Sequence, residues 1–88
     1  MNQKIKQDGQ INIGANIREI RLAKKMKQTE LVRMVQVSGV CLSRETLVKI
    51  ERGKQHIYAS QLRAIRDALD TTYDELLQPK IEKKHDSI

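Results

Sequence analysis

SRETLVKIERG, residues 43–53, decides how this chain is read. Ser43 carries a hydroxyl that can accept a hydrogen bond from the first turn of a helix. Gly53 offers the left-handed residue that ends one. Between them, Leu47 and Ile50 lie three residues apart, so they share one helical face and turn inward. Arg44, Glu45, Val48, Lys49 and Arg52 fall on the outer face. A short amphipathic helix with long polar side chains outward is the result.

The segments on either side repeat the pattern at helical spacing. Upstream, Gln28–Gln36 places Leu31, Val32 and Val35 on one stripe and predicts a helix. Val37–Leu42, with Gly39 near its centre, connects that helix to Ser43. Residues 12–25 set Ile13, Ile17, Ile20 and Leu22 close to a 3.6-residue period, with Asn12 as N-cap and a break at Met26–Lys27. Downstream of a loop at Lys54–Ile57, a fourth helix runs from Tyr58 or Ala59 to Leu69 on Leu62, Ile65 and Leu69. Thr72-Tyr73-Asp74-Glu75 fits a capping box, and Leu76 and Leu77 follow, so a short fifth helix closes the domain before Pro79. No run alternates as a strand does. The expectation is an all-α fold of five helices over residues 12–78. A flexible N-terminal arm (1–11) and a flexible C-terminal tail (79–88) flank it. Cys41 is read as a small buried hydrophobe, and Met26 and Met34 as core fillers. Tyr73 is expected to pack on the fourth helix, and Tyr58 to touch either the core or a phosphate.

Composition narrows the class. The chain has 88 residues, enough for one domain with a modest core. Its formal charge is +6 and unevenly spread. Residues 12–54 hold ten Lys/Arg against four Asp/Glu, whereas residues 55–77 hold two against four. That asymmetry suits a protein that lays one face on phosphates. Two aromatics, Tyr58 and Tyr73, are too few for a platform that stacks single-stranded bases. A single cysteine excludes an internal disulfide, and His56 and His85 have no partner at ligand or catalytic spacing. No cofactor or metal is expected. There is no glycine-rich phosphate loop, no paired carboxylate in an apolar setting and no nucleophile–base pair, so an enzyme acting on a small-molecule substrate is disfavoured. No apolar run reaches signal-peptide or membrane-span length, which leads to the expectation of a cytoplasmic protein without a membrane partner.

Four stretches carry a resemblance. IGANIREIR (13–21), QTELV (28–32), SRETLVKIERGK (43–54) and LRAIRDALDTTYDELL (62–77) resemble the phage-repressor-type, Xre-like and Cro-like helix-turn-helix family. The resemblance implies a compact, lambda-repressor-like five-helix domain that binds operator DNA as a dimer and regulates transcription. It also implies roles. Gln28, first in the second helix, corresponds to a phosphate-contacting position, where the helix dipole and free N–H groups favour an anion. Ser43 caps the reader helix or touches a phosphate. Arg44 and Glu45 enter the major groove first: Arg44 can fork onto guanine, and Glu45 can accept from cytosine N4. Glu45 can instead pair with Lys49 along the helix. Thr46 packs or meets a phosphate, Lys49 reaches a base or a phosphate, and Arg52 and Lys54 suit the phosphate strand beyond the helix. Glu51 is implied to pair with Arg21 and brace the reader helix. Arg18, Lys24, Lys25, Lys27 and Arg33 are read as solvated surface.

One departure from the family pattern stands out. The chain between Leu31 and Ile50 is about five residues longer than usual, with the surplus in Val37–Leu42, and the family's small residue early in the second helix is replaced by Val32. Either the second helix is longer or the turn is a loop anchored by Val40 and Leu42. The functional expectation is a sequence-specific double-stranded-DNA-binding regulator, most simply a repressor acting as a homodimer. The competing expectation is an antitoxin or adaptor module whose main partner is a protein.

Overall fold

The computed structural model describes residues 4–5 and 11–79. Five helices run as α1 (Ile13–Ala23), α2 (Gln28–Val37), α3 (Arg44–Glu51), α4 (Ala59–Leu69) and α5 (Tyr73–Leu76). Two two-residue strands, β1 (Lys4–Ile5) and β2 (Ile57–Tyr58), add one antiparallel bridge, pairing Lys4 with Tyr58 and Ile5 with Ile57. The all-α architecture with helices 2 and 3 as the helix-turn-helix pair is therefore present, with this bridge as an addition. The N-terminal segment touches the domain through Lys4–Ile5, while residues 1–3, 6–10 and 80–88, which hold most of the expected arm and tail, lie outside the described residues.

Local chemistry sets the helix ends. Asn12 Oδ1 accepts from the Ala15 N–H at 3.0 Å and starts α1. Helix α2 has no side-chain cap; instead the Glu30 carboxylate accepts from the Lys27 N–H at 2.8 Å. Ser43 Oγ accepts from the Thr46 N–H at 3.1 Å and starts α3. Gly53, at φ 75°, ends α3 as its position predicts, and Asp70 takes the left-handed conformation after α4. The capping box before α5 forms by half. Thr72 Oγ1 accepts from the Glu75 N–H at 3.1 Å, but the Glu75 carboxylate accepts from the Thr71 hydroxyl rather than returning to Thr72.

One core joins the helices. Ile13 and Ile17 of α1, Leu31 and Val35 of α2, Leu47 and Ile50 of α3, Ile65 and Leu69 of α4 and Leu76 of α5 are all buried. Helix α1 packs on α3, and α2 packs on α4 and α3. The α1–α3 approach needs Gly14: a Cβ there would lie 1.7 Å from the Ile50 carbonyl oxygen. Asn16, buried on α1, fixes α5 by donating through Nδ2 to the Leu76 and Gln78 carbonyls at 2.7 and 2.9 Å.

The long α2–α3 connection is a loop. Helix α2 ends at Val37, Gly39 turns the chain at φ 96°, Leu42 is buried and Val40 packs against the core. Two carboxamides hold the loop: Gln36 Nε2 donates to the Leu42 carbonyl at 2.7 Å and Gln61 Nε2 to the Cys41 carbonyl at 3.1 Å. This arrangement fixes where α3 begins.

Several side chains differ from their sequence reading. Cys41 is exposed, because its neighbour Leu42 takes the inward position in the loop. Met34 is 44 % exposed and Leu22 48 %, so neither is core. Leu22 follows Ile13 by two and a half helical turns and so faces away from it. Met26 does pack against the core. Ile57, read as loop, is fully buried in β2. Tyr73 meets α4 through a cation–π contact, with the Arg66 guanidinium 4.6 Å from its ring centre. Tyr58 is half-buried at the start of α4, its N–H donating to Gln61 Oε1 at 3.0 Å.

Candidate nucleic-acid interface

A three-residue lock sits beneath α3. Arg21 Nε and Nη2 donate to the two oxygens of Glu51 at 2.8 and 2.9 Å, a fork-to-fork geometry. The side chains are 8 % and 2 % exposed. Arg21 Nη1 also donates to the Met26 carbonyl at 2.9 Å, and Gln28 Nε2 donates to Glu51 Oε1 at 3.0 Å. The pair anticipated between Arg21 and Glu51 is thus present, and Gln28 joins it. A buried pair of this kind adds little net stability, yet losing one partner strands the other charge. Its structural effect is to tie the C-terminal end of α3 to α1 and to the start of α2.

With its inner side fixed, α3 presents a polar outer face. Arg44, Glu45 and Lys49 are exposed along it, Arg52 is exposed at its C-cap and Lys54 just beyond. Glu45 and Lys49 do not pair: among the described residues the ion pairs are Arg21–Glu51 and Arg66–Asp67. Ser43 and Thr46 are joined to each other, Ser43 Oγ donating to Thr46 Oγ1 at 2.9 Å. Gln28 is half-buried, with its amide already engaged by Glu51.

An open cleft runs beside this face. Arg18, Arg21, Lys27, Gln28, Thr29, Arg44, Val48, Glu51 and Arg52 line it. Of the eight site residues expected from sequence, the cleft gathers Gln28, Arg44 and Arg52. Ser43, Glu45, Thr46, Lys49 and Lys54 lie outside it, on or next to α3. Arg18 and Lys27, read as solvated surface, line the cleft instead. Their convergence depends on tertiary packing, although the three-residue spacing from Arg18 to Arg21 already puts both on one side of α1.

A helix-turn-helix family model matches residues 17–76, which span α1 to α5. The chain belongs to the helix-turn-helix family. The resemblance seen in the sequence is thereby established, and as a family member the chain is a DNA-binding regulator. This helix-turn-helix protein is also similar to a solved structure, the restriction-modification controller protein from Aeromonas hydrophila. The two share 27 % identity at a TM-score of 0.66, over 75 % of this chain and 92 % of the other. No curated protein matches the helix-turn-helix chain in sequence. Among the described residues no group of side chains is arranged to hold a metal, and no helix is long and apolar enough to cross a membrane.

Proposed function

We propose that the protein is a sequence-specific double-stranded-DNA-binding regulator that represses transcription by occupying its operator, with α3 as the reader helix. The observation that carries this reading is the exposed polar face of α3 held against α1 and α2 by the Arg21–Glu51–Gln28 lock. An α-helix fills the major groove, where each base pair shows its own donor and acceptor pattern. Arg44 and Lys49 are the base readers, and Glu45 accepts from a base donor. Arg52, Lys54, Ser43 and Thr46 serve the phosphate strands, which set register rather than sequence. With its side chain committed to Glu51, Gln28 meets a phosphate through its backbone N–H at the start of α2.

One reader helix covers only a few base pairs, so the working unit is a homodimer on half-sites about one DNA turn apart. Leu77 and Ile81, at and beyond the end of α5, are the proposed contact; Leu77 packs partly on the core, and Ile81 lies outside the described residues. As a binding protein it needs no cofactor and turns over no substrate, and it acts in the compartment that holds the DNA, the cytoplasm. A protein partner, as an antitoxin or adaptor has, would find Met34 and Val37 exposed on α2.

The test is duplex selection from a random pool, followed by binding across a salt series. A palindromic site is expected, with log affinity falling by about 0.9 per log unit of salt for each phosphate neutralised. Arg44→Ala relaxes preference at one base position, whereas Arg52→Ala weakens all duplexes alike. A flat salt response, or identical effects of the two substitutions on every duplex, refutes the assignment.

A further inference from the structure

We infer that Arg18, on α1 and outside the helix-turn-helix pair, is a DNA-phosphate-binding residue, and that one backbone phosphate seats in the cleft it shares with Lys27 and Arg52. This rests on the DNA-binding reading above and adds a contact from a third helix. Four cationic side chains, Arg18, Lys27, Arg44 and Arg52, line this cleft together with the buried Arg21. Glu51 is the one carboxylate in the lining, and both its oxygens are already taken by Arg21 and Gln28. The remaining cations are left without a counter-charge inside the cleft. Among the described residues, none of Arg18, Lys27, Arg44 and Arg52 forms an ion pair. Gathering like charges around one cleft is unfavourable unless an anion joins them.

Two further features suit a phosphodiester. Helix α2, ten residues long, begins at this cleft with Gln28 and Thr29 in the lining. The first N–H groups of a helix have no acceptor inside it, and the dipole there favours negative charge. In addition, the cleft borders the α3 face already assigned to the major groove, so the strand flanking that groove passes its mouth. Arg18 differs in this from Lys24 and Lys25, which follow the end of the same helix and do not line the cleft. It also differs from Arg33, exposed on α2 in a separate groove with Thr29, Glu30 and Met34.

The experiment compares the wild type, Arg18→Gln, Arg18→Lys and Arg33→Gln, each checked for an unchanged melting curve, by fluorescence anisotropy on labelled random-sequence duplex DNA across a salt series. Arg18→Gln is expected to weaken binding to every duplex and to make the log–log salt slope shallower by about 1. Arg18→Lys keeps the wild-type slope, and Arg33→Gln, with the same loss of charge, keeps it too. An unchanged slope for Arg18→Gln, or an equal loss for Arg33→Gln, overturns the inference while leaving the DNA-binding reading in place. A wild type that binds no duplex, or binds without steep salt dependence, overturns that reading and this inference with it.

Discussion

Substituting Gly14 by Ala tests the packing that positions α3. The new methyl carbon would stand 1.7 Å from the Ile50 carbonyl oxygen, 2.7 Å from the Ile50 carbonyl carbon and 3.1 Å from Glu51 Cα. Real Cβ atoms essentially never approach closer than 3.0 Å, so the oxygen and the methyl must separate by at least 1.3 Å, the difference between 3.0 and 1.7. The obstacle is backbone on both sides, so rotating a side chain cannot relieve it. Overpacking of this kind costs about 1–3 kcal/mol, and a backbone obstacle puts the cost near 3. Alanine recovers about 1 kcal/mol through its better helix propensity. The net loss is about 2 kcal/mol, which lowers Tm by roughly 10 °C in a domain of this size. Circular dichroism melts and urea titrations measure it. Gly39→Ala is the control: nothing lies within 4 Å of its added Cβ, and only the left-handed φ of 96° opposes it, at about 1–2 kcal/mol. A Gly14→Ala protein that melts at or above the wild-type temperature would refute the close α1–α3 approach.

Two other substitutions probe the frame around the site. Glu51→Gln leaves the Arg21 charge buried without its counter-ion, and unfolding titrations should show a loss of about 3–5 kcal/mol; a loss below about 1 kcal/mol would mean the pair is open to water. Asn16→Ala strips the Leu76 and Gln78 carbonyls of their donor, for about 1–3 kcal/mol, and hydrogen exchange should rise first in α5; uniform exchange along the chain would contradict the pinning role.

Much of this architecture is legible in the sequence because it is local. Asn12, Ser43 and Gly53 act within a turn of where they stand, and the stripes of α2, α3 and α4 follow from helical spacing. The Arg21–Glu51 pair is long-range, and it was readable only through the family resemblance. Other features depend on which surfaces meet. Gly14 looks like an ordinary weak helix residue until Ile50 is placed against it. Asn16 looks solvent-facing because its partners are backbone carbonyls sixty residues away. Arg18 and Lys27 cannot be told from Lys24 and Lys25 by composition, since the cleft exists only once α1, α2 and α3 are assembled. Strands of two residues are too short to show alternation, so Ile57 reads as loop. The membership of Gln28 in the lock is also tertiary, because it depends on where Glu51 is held.

The lock has a consequence for how such a protein diverges. Arg21, Gln28 and Glu51 come from three helices, and each satisfies another's hydrogen bonds. A change at Arg21 or Glu51 leaves a buried charge stranded, so these two positions must drift together or stay fixed, with Gln28 following Glu51. Arg44, Glu45 and Lys49 carry no such mutual obligation and can be exchanged one at a time. Frame and outer face can therefore change independently, and the exposed surface of α3 can be rewritten on an unaltered chassis.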